Sequence, residues 1–561
     1  MMSGGCYGGL HERDDAASGT EGSADGDGSG GADAGDASDD GSAEPPAAAD
    51  EVPIVGLRRL TAAEYDATIR DILLDDESGA TLLLPTDPRT PFDNDYADQI
   101  PSETLVEAAE LLATDAADRL IDDPARISSL LPCSPSSPTD EACMQAFAQQ
   151  WGRRALRRPP TAEEVTLWLH GEGGGGGAIE IADEQGDFAW GVHTLVRTLL
   201  QDPEFLYRVE LGTPVTGDPT LFRLGDFEIA TRLSYFLWGS APDDWMLDRA
   251  ELGTLSTPAE VREVATMMLA DDRALERVDR FHAMWLGYES MPFGGQVALD
   301  MKQETKSLVQ RVVFDEDRPW QDLFRSTETF LTDTLAEHYG LPAPDAATGA
   351  WVDYGDSGRQ GLLSHGTFLS IGAKFGDTSP VQRGLAVRTR VFCQVIPPPP
   401  PGVDPDQQPG GPAAICKEDR YAAHSAGGCA GCHAQLDPVG FGLEGYGPTG
   451  QFRAFEADDP DTVEDESLCA ISGSGELVGV GAFSGPAQLA DLALSERYLD
   501  ECVQQQLMRF VNGRFELDEI DEAYLESVRA QVGDGDFTFR TLLLEMVGSE
   551  TFGYRREEAV Q

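Results

Sequence analysis

Cys429-Ala430-Gly431-Cys432-His433 governs how the rest of this 561-residue chain is read. Two thiols three positions apart, with a histidine directly after the second, form the attachment sequence of a c-type haem. The chemistry sets the spacing. Each thiol adds across one vinyl group of the haem, and the intervening turn places the His433 imidazole beneath the iron as proximal ligand. Ala430 and Gly431 are small enough for the backbone to lie flat against the macrocycle. Zinc sites and redox dithiols share the C-x-x-C spacing. A zinc site needs a third and fourth ligand; His424 offers one, and His433, adjacent to Cys432, is badly placed to close the same tetrahedron. A thioredoxin-like dithiol follows a strand and opens a helix, whereas this one follows a loop starting at His424. Covalent haem c is the reading taken forward, with a structural disulfide or zinc as the alternatives.

The composition narrows the partners. There are 99 acidic and 40 basic residues, for a net charge of -59. Such a surface repels nucleic acid and anionic lipid. A cationic redox partner, calcium or a salty medium suits it better. Lysine occurs only at 302, 306, 374 and 417, so arginine carries most of the positive charge. No window offers about 18 uninterrupted apolar residues, so a membrane-spanning helix is not expected.

Of the nine cysteines, Cys429 and Cys432 go to the haem. Cys133, Cys143, Cys393, Cys416, Cys469 and Cys502 form an even set, which suits disulfides in an oxidising compartment, where haem is also attached covalently. Spacing leaves their connectivity open, and buried free thiols are the alternative. Cys6 follows Ser3-Gly4-Gly5, small residues like those that end a bacterial lipoprotein signal. A run rich in Asp, Gly, Ser and Ala then extends to Pro45-Pro46, too polar to bury a core and suited to a solvated tether. A lipid on Cys6 would hold the protein off a membrane. The five preceding residues contain no signal peptide, so either translation begins further upstream or Cys6 is an ordinary residue of a disordered tail.

The expected fold class is mainly α: a multi-domain helical protein with a cytochrome c-like haem domain and a disordered acidic N-terminal tether. Thr61 with Glu64, and Thr161 with Glu164, have capping-box spacing and follow basic residues. A helix is expected from about Ser102 through Leu120. From about Val192 to Leu331 nearly everything has helical period, including stripes at Phe227, Ile229, Leu233 and Phe236 and at Phe281, Met284 and Trp285 that read as core. Ser379-Pro380 opens a helix running to Cys393, and Pro397 to Pro401 form an extended spacer. The expected organisation is a lipoprotein-like cysteine and linker at 1–52, helical domains at 53–130, 140–210 and 215–345, the haem-attachment domain at 358–455, and a C-terminal helical domain at 470–557.

Arg58-Arg59-Leu60-Thr61 with Glu64-Tyr65, Leu233-Ser234-Tyr235-Phe236-Leu237-Trp238, and Thr378-Ser379-Pro380-Val381 with Arg383-Gly384 together resemble a bacterial group. So does the haem sequence running into Asp437-Pro438-Val439-Gly440-Phe441 and Glu444. The group is the planctomycete and myxobacterial multi-domain cytochrome-like family, with several domains of unknown function around one haem-attachment domain. The resemblance spans 53 to 555 and implies an exported, helical protein with a c-type haem, without implying a substrate.

If His433 binds iron through Nε2, its Nδ1–H needs an acceptor. A backbone carbonyl in a Leu436-Asp437-Pro438 turn is the expected one. His424 heads the candidates for the sixth ligand, ahead of His365, Met508 and Met546, and Arg453 is a candidate partner for a haem propionate. The acidic runs at Asp25–Asp27 and Glu456–Asp461 match no EF-hand register and read as solvated loops. No G-x-S-x-G, H-E-x-x-H or dinucleotide fingerprint is present. Three functions remain: a lipid-tethered single-haem electron carrier or haem subunit at the cell envelope, with an unidentified redox partner; a haem enzyme with an open iron site; or a non-redox surface scaffold.

Overall fold

A computed structural model describes residues 43–89, 91–173, 175–373, 376–397, 416–425, 430–456, 469–516, 519–533 and 535–558. Cys6, the acidic tether, Cys429, the proline run beyond Pro397 and the acidic run beyond Glu456 lie outside them. Residues from Ser42 onward form one compact unit. The chain is mainly α-helical, with a few short strands. Among the described residues no helix is long and apolar enough to cross a membrane.

The two capping boxes each start a helix. Thr61 and Glu64 exchange side-chain-to-backbone bonds at the head of Ala62–Leu73, and Thr161 and Glu164 do so for Ala162–His170. Both helices, with Glu103–Ile121, Glu141–Leu156 and Phe188–Leu200, enclose one apolar core holding Tyr65, Phe147 and Trp151. A larger core runs from Asp226–Leu237 and Asp272–Leu286 through Val387–Val391 and Ala430–Phe441 to the late helices Tyr498–Asn512 and Phe539–Val547. The expected aromatic stripes lie inside it: Phe281 contacts Phe92, Phe510 and Phe539, and Trp285 stacks on Trp320. The haem-motif helix thus shares its apolar interior with elements from both sides of it in sequence.

The stretch from about Val192 to Leu331, expected to be nearly all helical, is interrupted. Thr213–Val215 and Asp218–Arg223 form a hairpin, with Gly217 at φ +89° in its turn, and Tyr554–Arg556 pairs with the second strand. Glu328–Leu331 pairs antiparallel with Ala350–Asp353, and Ser474–Leu477 with Gly481–Ser484. These strands are too short for a period-two pattern to emerge from a mixed sequence.

The six cysteines pair as Cys133–Cys143, Cys393–Cys502 and Cys416–Cys469. The two that flank the proline run are therefore not joined to each other. Cys393 reaches Cys502 in helix Tyr498–Asn512, closing a separation of 109 residues, and Cys416 ties the approach to the haem sequence to Cys469.

One buried polar cluster lies outside these contacts. Glu304 accepts from the hydroxyls of Thr329 at 2.6 Å and Tyr339 at 2.8 Å, and His365 Nε2 stands 3.7 Å from its carboxylate. Burial pushes the Glu304 carboxyl up to about 7 and the His365 imidazole down to about 3. The two act in opposite directions. The raised Glu304 value stabilises the fold below the ordinary 4.5, and that contribution is lost as pH rises to about 7. The lowered His365 value costs stability as pH falls below 6.5. Glu304→Gln keeps the size of the side chain and one acceptor oxygen but cannot ionise, which removes the first effect. Its stability relative to the wild type, measured by urea unfolding, is expected to increase from pH 4.5 to 7; a flat difference would show that Glu304 does not titrate there.

Candidate functional site

The haem-motif helix, Ala430–Phe441, is held at its C-terminal half by a close backbone contact with Pro380–Ala386. A Cβ at Gly384 would lie 2.0 Å from the Leu436 carbonyl oxygen, and one at Gly440 would lie 1.8 Å from that of Pro380. Only glycine permits such an approach. Ser379 caps the Pro380–Ala386 helix, accepting from Gln382 N, and Pro380 occupies its first turn, where a missing N–H costs nothing. Arg388 adds a bond from Nε to the Gln435 carbonyl at 3.0 Å.

Just past the helix, Glu444 is the centre of a buried charge cluster. It accepts from Arg383 at 3.0 Å, Thr378 at 2.6 Å, Arg453 at 2.8 Å and Lys417 at 3.2 Å. Burial opposes its ionisation, but Arg383, Lys417 and Arg453 outweigh that and hold the carboxyl below its usual range. Asp377 shares Lys417 and Arg453. The cluster joins the Thr378–Gly384 motif to the segment after the haem sequence. Arg453, expected to face a propionate, instead spends its guanidinium on Glu444, Thr378 and Asp377.

The N-terminal half of the haem-motif helix faces outward. Gly431 is exposed, and a Cβ there meets no described atom within 4 Å. Cys432 is a half-buried free thiol. His433 Nδ1 lies 3.0 Å from Asp437 Oδ1, one helical turn further on, and His424 Nδ1 lies 3.3 Å from Asp437 Oδ2. Asp437 therefore replaces the expected backbone carbonyl, because this segment is helix and not a turn. Pro438 sits inside the helix. The carbonyl it cannot pair belongs to Ala434, which is exposed and can reach water. On a helix, positions 433 and 437 share a face, a signal present in the sequence that the proline obscured.

His424 is not placed as a sixth ligand. Its ring lies against that of His433 with centroids 3.9 Å apart, and both rings turn Nδ1 to the same carboxylate. An iron between two imidazoles, with bonds of about 2 Å, would hold the ring centres roughly 6 Å apart. There is no room for a porphyrin plane between these two. His365 is fully buried and bonds Thr305 at 3.0 Å, while Met508 and Met546 are core residues. The residues around His433 nevertheless fit a haem attached on the outer side: a free thiol at Cys432, open space beside Gly431, and an imidazole whose Nδ1 is engaged so that Nε2 is left for iron.

Helical modules around a segment carrying C-x-x-C-H define the class, a multi-domain cytochrome-like protein. Four family models match along the chain, each described as a protein of unknown function: PSD3 (DUF1587) at residues 58–122, PSD5 (DUF1595) at 143–210, PSD4 (DUF1592) at 224–341 and PSCyt3 (DUF1588) at 359–456. The chain belongs to the multi-domain cytochrome-like family built from these domains. No curated protein and no solved structure matches it.

Glu444→Gln would leave Arg383, Lys417 and Arg453 short of a buried counter-charge, a loss of about 3–5 kcal/mol for breaking such a cluster. Because the Glu444 carboxyl is held low, its contribution is present above the ordinary 4.5 and fades as pH falls through the folded value. Chemical unfolding should show the deficit of the variant at neutral pH shrinking in acid.

Proposed function

We propose that this is an exported, single-haem, c-type cytochrome-like protein that carries electrons or serves as the haem subunit of an envelope oxidoreductase. Cys429 and Cys432 would hold the haem by thioethers and His433 would bind the iron. The observation that carries the reading is the Asp437 carboxylate on His433 Nδ1, directly after the free thiol of Cys432. Once attached, the haem supplies one-electron exchange at iron. Asp437 fixes the His433 ring orientation and increases the basicity of Nε2, which favours the more positively charged, oxidised state. The net charge of -59 favours a cationic protein as redox partner and disfavours nucleic acid.

A second reading rests on one observation. His424, His433 and Asp437 offer ligand atoms all within 4.8 Å of one another, a set that suits a single transition-metal ion. Protein from a host able to mature c-type cytochromes separates the two. The expected result is haem stain surviving denaturing electrophoresis and lost when Cys429 and Cys432 are both replaced by alanine, with stoichiometric iron in the wild type. Metal without haem would favour the second reading, and neither would leave a surface scaffold. In the reduced protein, slow or absent carbon monoxide binding identifies an electron relay; prompt binding identifies an open iron site, the enzyme alternative.

The three disulfides suit an oxidising compartment, and we place the protein at the cell envelope, tethered by lipid at Cys6. With an export leader supplied, fatty-acid label should enter the wild type and be absent from Cys6→Ala. Absence of label from both would remove the anchor from the proposal.

A further inference from the structure

A second feature, lined by no residue of the haem sequence, lies where the two ends of the compact unit meet. A cavity of about 20 Å³ is bounded by Val55 and Arg58 from the N-terminal side, Arg232 from the middle of the chain, and Asn512, Tyr524 and Thr551 from the C-terminal side. This is room for one water-sized occupant. The Asn512 residue is only 8% exposed, and its Nδ2 has no hydrogen-bond partner among the described residues. A buried donor without a partner is costly, so it marks a place where something accepts.

Charge points the same way. Arg58, Arg208 and Arg232 are 3%, 4% and 6% exposed and converge on one carboxylate, Glu210. Glu210 bonds Arg58 at 3.3 Å and Arg232 through both oxygens, at 3.0 and 2.5 Å. The neighbouring Glu64 is committed to Arg277 at 2.9 Å. Arg208, which stands behind the lining, makes no ion pair among the described residues; its guanidinium lies over the Tyr235 ring, 5.3 Å from the centroid, and its Nε and Nη2 are buried without hydrogen-bond partners. Burial, followed by the nearby Arg208 charge, lowers Arg58 to about 9 despite the opposing pull of Glu210. Burial opposes ionisation of Glu210, yet Arg232, Arg58 and Arg208 draw it down to about 2. Uncompensated charge of this kind is expensive away from water.

The structure assigns this cavity as a binding site for a small monovalent anion of the halide class. Its size suits a single-atom ion; its lining supplies one unpaired amide donor, and Arg58 and Arg232, bonded to Glu210 and to backbone carbonyls, give it a net positive surrounding. An ion there joins three sequence-distant segments: the approach to strand Arg58–Arg59, the end of helix Tyr498–Asn512, and the turn Glu550–Gly553. The bound ion therefore stabilises the closure of the fold, independently of haem loading.

Crystals of the full chain soaked in sodium bromide should give an anomalous peak between Arg58, Arg232 and Asn512. In solution, the unfolding midpoint should rise with each tenfold increase in sodium chloride, relative to sodium gluconate of equal ionic strength, because gluconate is too large for the cavity. Asn512→Asp places a fixed negative charge there. This variant should lose the chloride dependence and unfold in gluconate no earlier than the wild type. The proposal is overturned if the wild type shows no bromide peak in the cavity, or has the same midpoint in chloride and gluconate, as a cavity holding only water would. A folded Asn512→Asp protein that keeps the full chloride response also overturns it.

Discussion

The arrangement of the candidate site depends on two glycines against two carbonyl oxygens. Gly384 and Gly440 let the helices Pro380–Ala386 and Ala430–Phe441 meet backbone to backbone, and the carboxylate of Glu444 draws Arg383, Lys417 and Arg453 around the end of that contact. Both features are short-range and unforgiving. A methyl group at either glycine would have to displace a backbone atom, and a neutral side chain at 444 would leave guanidinium charge buried. Because the last turns of the haem-motif helix are fixed in this way, its first turns can project outward with His433 and Asp437 in a defined relation. The rigid half supports the chemical half.

Much of this was legible from local sequence. The capping boxes at Thr61 and Thr161 were readable because a reciprocal cap needs only two residue types at one spacing. The aromatic stripe of Asp272–Leu286 was readable because a helix buried along one face must repeat apolar residues at that period. The even set of six cysteines pointed to disulfides, and all six are paired. Which cysteines pair was not readable, since the partners of Cys393 and Cys416 are set by the packing of distant helices. The hairpins at 213–223 and 474–484 were missed for a related reason: strands of three to six residues hold too few alternations to stand out from helical neighbours.

At the site itself, the sequence pointed to His433 and misassigned the acceptor for its Nδ1. Pro438 suggested a turn, and a turn would have offered carbonyl oxygens to His433. The helix continues through the proline because the carbonyl left unpaired faces water, and this brings Asp437 beneath His433. His424 lies beside the motif as its place in the sequence suggests, but its ring packs against that of His433 instead of standing opposite it. Proximity in sequence told that it would be near, while its orientation follows from sharing Asp437.

The scarcity of lysine also acquires a physical reason. The buried ion pairs are overwhelmingly arginine pairs: Arg58 and Arg232 with Glu210, Arg277 with Glu64, Arg383 with Glu444, Arg514 with Asp521. A planar guanidinium satisfies a carboxylate and backbone carbonyls together, as Arg232 does with Glu210, Phe552 and Tyr554. Among the described residues Lys417 is the lysine that enters such a cluster, and there it serves as a point charge beside two arginines. Much of the limited positive charge is thus spent inside the fold, so the surface is left even more acidic than the count of 40 against 99 implies. An outer face of that kind repels acidic partners at long range and accelerates encounter with basic ones. The same internal use of arginine that holds the haem-motif helix in place therefore also shapes which molecules can approach it.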